Sequence, residues 1–174
     1  MSNPAAAEAA QAVVQHLMEH DAFSQWMGVE VLEAAVGRSV LRMAVRADMV
    51  NGFGTLHGGV LFAFADSAFA FSTNAGGFLS VAVDCSISFP VAVRPGDVLT
   101  ATAVEQSTTN RLAFCEVNVT NQDAVTVGYF RGTVYRTTRP HVVGQSMAQS
   151  TTSSKTQAIG QSTAELRNRV HDAE

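Results

Sequence analysis

NGFGTLHGGVLFAFADSAFAFSTN, residues 51–74, is the stretch on which the fold turns. Asn51-Gly52 and Gly54 mark a loop. From about Gly58 to Asn74 the residues predict a helix, stopped by Gly76-Gly77. Val60, Leu61, Phe62, Phe64, Ala65, Ala68, Phe69 and Phe71 leave that helix no polar stripe. A helix apolar on every side belongs in a core or between packed layers. Asp66 stands in its middle, the only ionisable residue between Gly58 and Val83. Burying a carboxylate is costly unless it is paired or hydrogen-bonded, and desolvation raises its pKa. The bland reading is an aspartate that reaches a solvent gap or bonds nearby backbone. The functional reading is a catalytic carboxylate in a dry site, where perturbed acids tend to lie.

His57-Gly58-Gly59 opens the helix. A helix N-terminus presents unpaired N–H groups and a partial positive charge, and glycines let a ligand come close to that backbone. Such a start can polarise a carbonyl and hold an oxyanion. It can equally be no more than a turn into the helix. Gly58 and Asp66 are eight residues apart, so their backbones are separated by roughly 12 Å along the axis. If both act on one substrate atom, they must come from different chains. A composite site across a two-fold dimer meets that need.

Outward from this segment the chain alternates between helix and strand signals. Ala5–His20 is rich in good helix formers, with Val13, Val14, Leu17 and Met18 as its apolar stripe. One strand region is predicted over about Val29–Arg46. Ser80–Phe89 alternates, with Val81, Val83, Cys85, Ile87 and Phe89 on one face, and predicts a half-buried strand. Further strands are predicted over about Asp97–Gln106, Leu112–Thr120 and Val125–Arg136. Short connections favour antiparallel pairing, and segregated helices and strands favour the α+β class. Residues Gln145 to Thr163 contain 13 Ser, Thr or Gln out of 19. We expect an N-terminal helical segment over 1–24, the main domain over 25–138 and a disordered polar tail over 139–174.

Composition narrows the function classes. The 174 residues are 47% hydrophobic and 15% charged, against about 25% charged in ordinary soluble domains. That excess of apolar surface fits a subunit interface. The formal net charge is −4 and Lys155 is the only lysine, which disfavours nucleic-acid binding. Cys85 and Cys115 are too few for a disulfide framework and read as reduced core residues. The first basic residue is Arg38, so no signal or transit peptide is read, and the apolar run Val60–Phe71 is too short to span a membrane. A cytoplasmic protein is expected.

The segment closely resembles the hotdog-fold acyl-CoA thioesterases, in particular the PaaI-type (phenylacetic acid degradation) enzymes. An Asn stands six residues before His-Gly-Gly, an Asp nine after the His, and the Ala/Phe-rich helix ends in Asn; here these are Asn51, His57, Gly58, Gly59, Asp66 and Asn74. The likeness covers about residues 25–138 and includes Arg94–Asp97 and Phe130-Arg131-Gly132. It implies an antiparallel sheet wrapped around one long central helix, dimers paired by sheet edges, and commonly tetramers. It implies hydrolysis of acyl-CoA thioesters, with phenylacetyl-CoA or a related aryl-acetyl-CoA as substrate. The Gly58 N–H would polarise the thioester carbonyl, Asn51 would orient substrate or water, and His57 would brace the loop. Asp66 of a partner subunit would act as general base or as nucleophile. Gly59 would let the substrate approach, and Ser67 and Thr73 would be supporting donors. Some relatives carry a Ser or Thr where this chain has Ala82. Arg94, Arg111 and Arg131 are candidates for the coenzyme A phosphates. No metal and no cofactor are expected.

Other signals are weaker. His16-Leu-Met-Glu-His20 matches an inverted zinc-protease string, but the strand-rich remainder is wrong for such an enzyme. Gly52-x-Gly54 lacks the third glycine of a dinucleotide fingerprint. Asn118-Val-Thr120 is a glycosylation sequon without a secretion signal. A hotdog hydratase would pair Asp48 or Asp66 with a His five residues on, and neither has one. A non-catalytic acyl-CoA-binding module of the same fold is the main alternative; it would not need Asp66.

Overall fold

A computed structural model describes residues 4–141 of the chain. Helix α1 (Pro4–His20) begins on proline, whose missing N–H is no loss in a first turn, and buries Ala10, Val13 and Val14. Helix α2 (Ala22–Met27) is capped by Asp21, whose side chain accepts from the N–H groups of Phe23 and Ser24. The single strand predicted over 29–46 is instead a hairpin, β1 (Glu30–Ala35) and β2 (Arg38–Ala44). The reversal sits at Val36-Gly37, where Gly37 adopts φ +74°. That backbone is open to glycine and strained for a residue with a Cβ.

After a 3₁₀ turn (Ala47–Met49) and the loop, helix α3 spans Gly58–Asn74. Strands β3 (Phe78–Ser88), β4 (Val98–Thr108), β5 (Leu112–Thr120) and β6 (Thr126–Pro140) follow. The sheet has six strands in the order β1-β2-β4-β5-β6-β3, every neighbour antiparallel. Helix α3 touches all six. This is the α+β hotdog arrangement, with α1 packed against β1 at one side.

Small side chains on the inner face make room for the helix. Ala101, Ala103 and Ala113 are fully buried, as is Phe64, and Phe69 and Phe130 are almost so. Phe69 packs on Phe130 with ring centroids 5.5 Å apart. Under Phe69 lies Gly132, where an added Cβ would sit 2.7 Å from the ring.

Strand β3 departs from its sequence pattern. Its register against β6 shifts between Ala82 and Asp84. This bulge inverts the alternation, because one extra residue exchanges the two faces of everything beyond it. Cys85 and Ile87 therefore face inward and half-buried, while Val81 and Val83 are 50% and 60% exposed. They do not share one buried face. β3 is also a sheet edge. At the far end β6 runs past Arg136 to Pro140, and the His141 N–H donates to Gly77 O at 2.8 Å. The tail expected over 139–174 lies outside the described residues from 142 onward. No described helix is long and apolar enough to cross a membrane.

Candidate active site

The start of α3 is built from backbone donors. His57 caps it: its Nδ1 accepts from the Gly59 N–H at 2.9 Å, and its carbonyl accepts from Val60 (2.9 Å) and Leu61 (3.2 Å). An N–H can only donate, so the ring is the tautomer with its proton on Nε2. Of the four N–H groups at a helix start, that of Gly58 alone has no partner among the described residues. The cap thus satisfies three donors and leaves one at the positive end of the helix.

The preceding loop closes on Asn51. Its Oδ1 accepts from Phe53 N–H (2.9 Å), Thr55 N–H (3.3 Å) and Thr55 Oγ1 (3.3 Å). Its Nδ2 bonds nothing among the described residues. Asn51, Thr55, Gly58, Leu61, Phe89 and Val93 line a cleft of about 320 Å³. Phe89 lies over Gly58, and a Cβ there would touch the ring at 3.4 Å, an ordinary contact distance, so that only a larger side chain would crowd it. The cleft sets the Gly58 and Asn51 donors among the apolar side chains of Leu61, Phe89 and Val93, a mixture that suits a polar carbonyl on an apolar acyl group.

Asp66 does not line that cleft. It lies on the one side of α3 that the chain leaves partly uncovered: Phe62, Ala63, Asp66 and Ala70 are half-buried, and Gly59 is exposed. Those positions recur at helical spacing and form one stripe. The stripe faces the β3 edge, since Asp66 Oδ1 is 3.9 Å from the Cys85 thiol. Cys85 is thus a half-buried neighbour of Asp66 and not a core residue like Cys115.

Comparison with known proteins decides the family. Residues 53–127 match the Thioesterase superfamily. The chain is 37% identical over 120 residues to acyl-coenzyme A thioesterase PaaI of Escherichia coli, covering 69% of this chain and 86% of that protein. The chain belongs to the PaaI-type hotdog-fold thioesterases. The solved structure of the E. coli PaaI protein superimposes with a TM-score of 0.75 at 34% identity, covering 77% of this chain and 97% of that one. A hypothetical thioesterase from Streptococcus pneumoniae, solved with coenzyme A, gives 0.67 at 25% identity over 71% of this chain and 96% of that one.

The other residues expected at a thioesterase site are scattered within one protomer. Ser67 is buried, and its Oγ donates to Ala63 O (3.0 Å) and lies 2.8 Å from Ser24 Oγ. Ser24 in turn donates to Asp21, so this hydroxyl pair latches α2 to the thioesterase helix. Thr73 is buried and donates to Phe69 O at 2.9 Å. Ala82 is exposed on β3. Arg94 is exposed one residue beyond Val93, beside the Gly58 cleft. Arg111 is held at the opposite end of the sheet by the Tyr135 hydroxyl at 2.9 Å. Arg131 is on the outer face, opposite Glu116.

Three contributors carry no site signal in the sequence. Phe89 reads there only as a strand residue, and its cover over Gly58 follows from where β3 ends. Cys85 was hidden by the bulge. Asn74, quoted only as part of a pattern, clamps the end of α3: its Oδ1 accepts from the Ser80 N–H at 2.8 Å and lies 2.7 Å from His141 Nε2.

Electrostatics bear directly on Asp66. Burial pushes its carboxyl above the ordinary value, the Cys85 hydrogen bond pulls it back, and the negative charge of Asp21 adds to the rise. The Cys85 thiol is pushed up to about 11, by burial first and then by Asp66 and Asp84. It is a neutral donor at physiological pH and no nucleophile.

Proposed function

We propose that this thioesterase hydrolyses phenylacetyl-CoA or a related aryl-acetyl-CoA at sites shared between two chains. Gly58 of one chain polarises the thioester carbonyl, and Asp66 of the partner chain activates water or attacks directly. The observation that carries the reading is the separation of two half-sites in one protomer: a free Gly58 N–H in a cleft without Asp66, and Asp66 on an uncovered stripe beside an open sheet edge. A second β3 laid along the first would cover the stripe and bring in the missing half. Exposed Phe114, Tyr129 and Tyr135 on the outer face supply an apolar surface on which two dimers would stack as a tetramer. The aryl-acetyl preference rests on the likeness to E. coli PaaI and on the apolar side chains of Leu61, Phe89 and Val93 in the cleft. Arg94 is the arginine best placed to meet coenzyme A phosphates. Two free cysteines suit a reducing, cytoplasmic setting.

The test has two parts. Thiol release is measured across aromatic, short-chain and long-chain acyl-CoAs, with aryl-acetyl-CoA expected to show the highest kcat/KM. Tight binding without turnover would mean a binding module. Then Asp66→Asn chains are mixed with Gly58→Val chains, whose added side chain meets Phe89. Each alone is expected to be inactive. Random mixed dimers keep one native site of two, so the mixture should recover about a quarter of native activity. No recovery would place each site within a single chain.

The pH profile probes Asp66 separately. Either role needs the ionised carboxylate, so activity should rise with pH through the Asp66 pKa and then level. Cys85→Ala removes the contact that opposes the burial effect, and should move the acid limb to higher pH. Cys85→Ser supplies a stronger donor and should move it lower. Superimposable kcat/KM profiles for all three chains would show that the thiol has no hold on the carboxylate.

A further inference from the structure

We propose that the last turn of α1 is a binding site for a divalent transition-metal ion of the zinc, nickel and copper class, held by His16, Glu19 and His20. These residues fall at i, i+3 and i+4 and so project from one helix face. One donor atom from each already lies within 4.8 Å of the other two. Ligands on a tetrahedral zinc, each about 2.0–2.1 Å from the ion, stand roughly 3.4 Å apart. The difference is a small rotation for side chains at the surface.

Two hydrogen bonds orient the ligands as a metal site requires. His20 Nδ1 is 2.8 Å from the His16 carbonyl oxygen. That oxygen can only accept, so Nδ1 carries the proton and Nε2 presents its lone pair outward. A carbonyl behind a histidine ligand is a common way of setting this tautomer. The Glu19 carboxylate is held by the Gln15 amide at 3.0 Å, one turn back on the same face. The site also lies at the C-terminal end of a 17-residue helix, where the helix dipole favours a cation. Two imidazoles and one carboxylate select borderline ions over the hard magnesium and calcium ions.

The ion would clip the end of α1. Gln15, Met18 and Glu19 line a cavity of about 580 Å³ between that helix and β1, with Val31, Leu32 and Ala34 on the strand side. Occupancy would therefore hold the last turn of α1, the part of the helix that borders this cavity. None of these residues belongs to the thioesterase cleft, so the proposal stands apart from the catalytic reading.

The test uses the full chain without an affinity tag. Calorimetric titration with zinc sulfate should show one tight site per chain, and zinc should raise the unfolding temperature. Cobalt should give the visible absorption of a low-symmetry, nitrogen-ligated site. The double variant His16→Ala/His20→Ala should lose at least about tenfold in zinc affinity. Its far-ultraviolet circular dichroism should remain native apart from the last turn of α1. The variants Cys85→Ser and Cys115→Ser should bind zinc as the native chain does. Zinc binding that survives the double variant, that is lost with either cysteine, or that magnesium displaces at equal concentration would overturn the assignment. So would a native chain that takes up no zinc.

Discussion

Asp66→Asn is expected to lower kcat for thioester hydrolysis about 100- to 10,000-fold, the range that a positioned general base supplies. Asparagine keeps the shape of the side chain and its contact with Cys85, and it removes the basic oxygen. The same change should stabilise the fold at neutral pH. The native carboxyl has a pKa above its unfolded value because burial disfavours the charge. Between the two pKa values the folded chain holds a proton that the unfolded chain has lost, so native stability falls as pH rises through that window. Above it the full penalty of the buried charge is present, and asparagine does not carry it. A thermal melt at neutral pH should therefore show a higher midpoint for the variant, and the gap should close in acid. Hydrolysis at the native rate would remove Asp66 from the mechanism. A lost rate with a lowered melting point would point to damage to the fold.

Gly132→Ala should cost about 1–3 kcal/mol of stability, the usual range for an overpacked core. A glycine inside a strand is ordinarily a weakness, and alanine there would be expected to help. Here the sign reverses. The new Cβ would stand 2.7, 2.9 and 3.0 Å from three ring carbons of Phe69. That ring is almost fully buried and wedged against Phe130, and cannot swing away. Gly132 also sits between two strands, paired with Cys85 on β3 and with Cys115 on β5, so the backbone has little freedom to retreat. Denaturant unfolding measures the loss. Gly128→Ala is the comparison, because its added Cβ meets Val119 and Ile87 only at ordinary contact distances of 3.4–3.6 Å. Adding Phe69→Leu to the Gly132→Ala chain should recover part of the loss. Equal stability of the Gly132→Ala and native chains would show that the helix rides more loosely on the sheet than this packing implies.

The central helix was legible from residues 51–74 because its signals are local. Glycines at its start, an unbroken apolar run and glycines beyond its end act within a few turns of one another. The strands β4, β5 and β6 were legible for the same reason, since alternation at a period of two needs no knowledge of the partner strand. The hairpin at Val36-Gly37 was not, because a lone glycine with no Asn, Asp or Pro beside it is a weak turn signal. The faces of β3 were misread for a different cause. The sequence alternates from Ser80 to Phe89, but one residue at Val83 is left out of the pairing with β6. A bulge arises from the register with another strand and has no signature within its own.

By itself, then, the chain determined that an apolar helix carries one carboxylate in its middle and free backbone donors at its start, too far apart to serve one atom. That follows from helical rise alone. Only the tertiary structure decided what surrounds those groups. It turned Ser67 toward α2, put Cys85 against Asp66, laid Phe89 over Gly58 and separated Arg94 from Arg111 and Arg131. Each outcome depends on which distant segment packs where. Such contacts form between elements whose spacing in the sequence carries no record of their meeting.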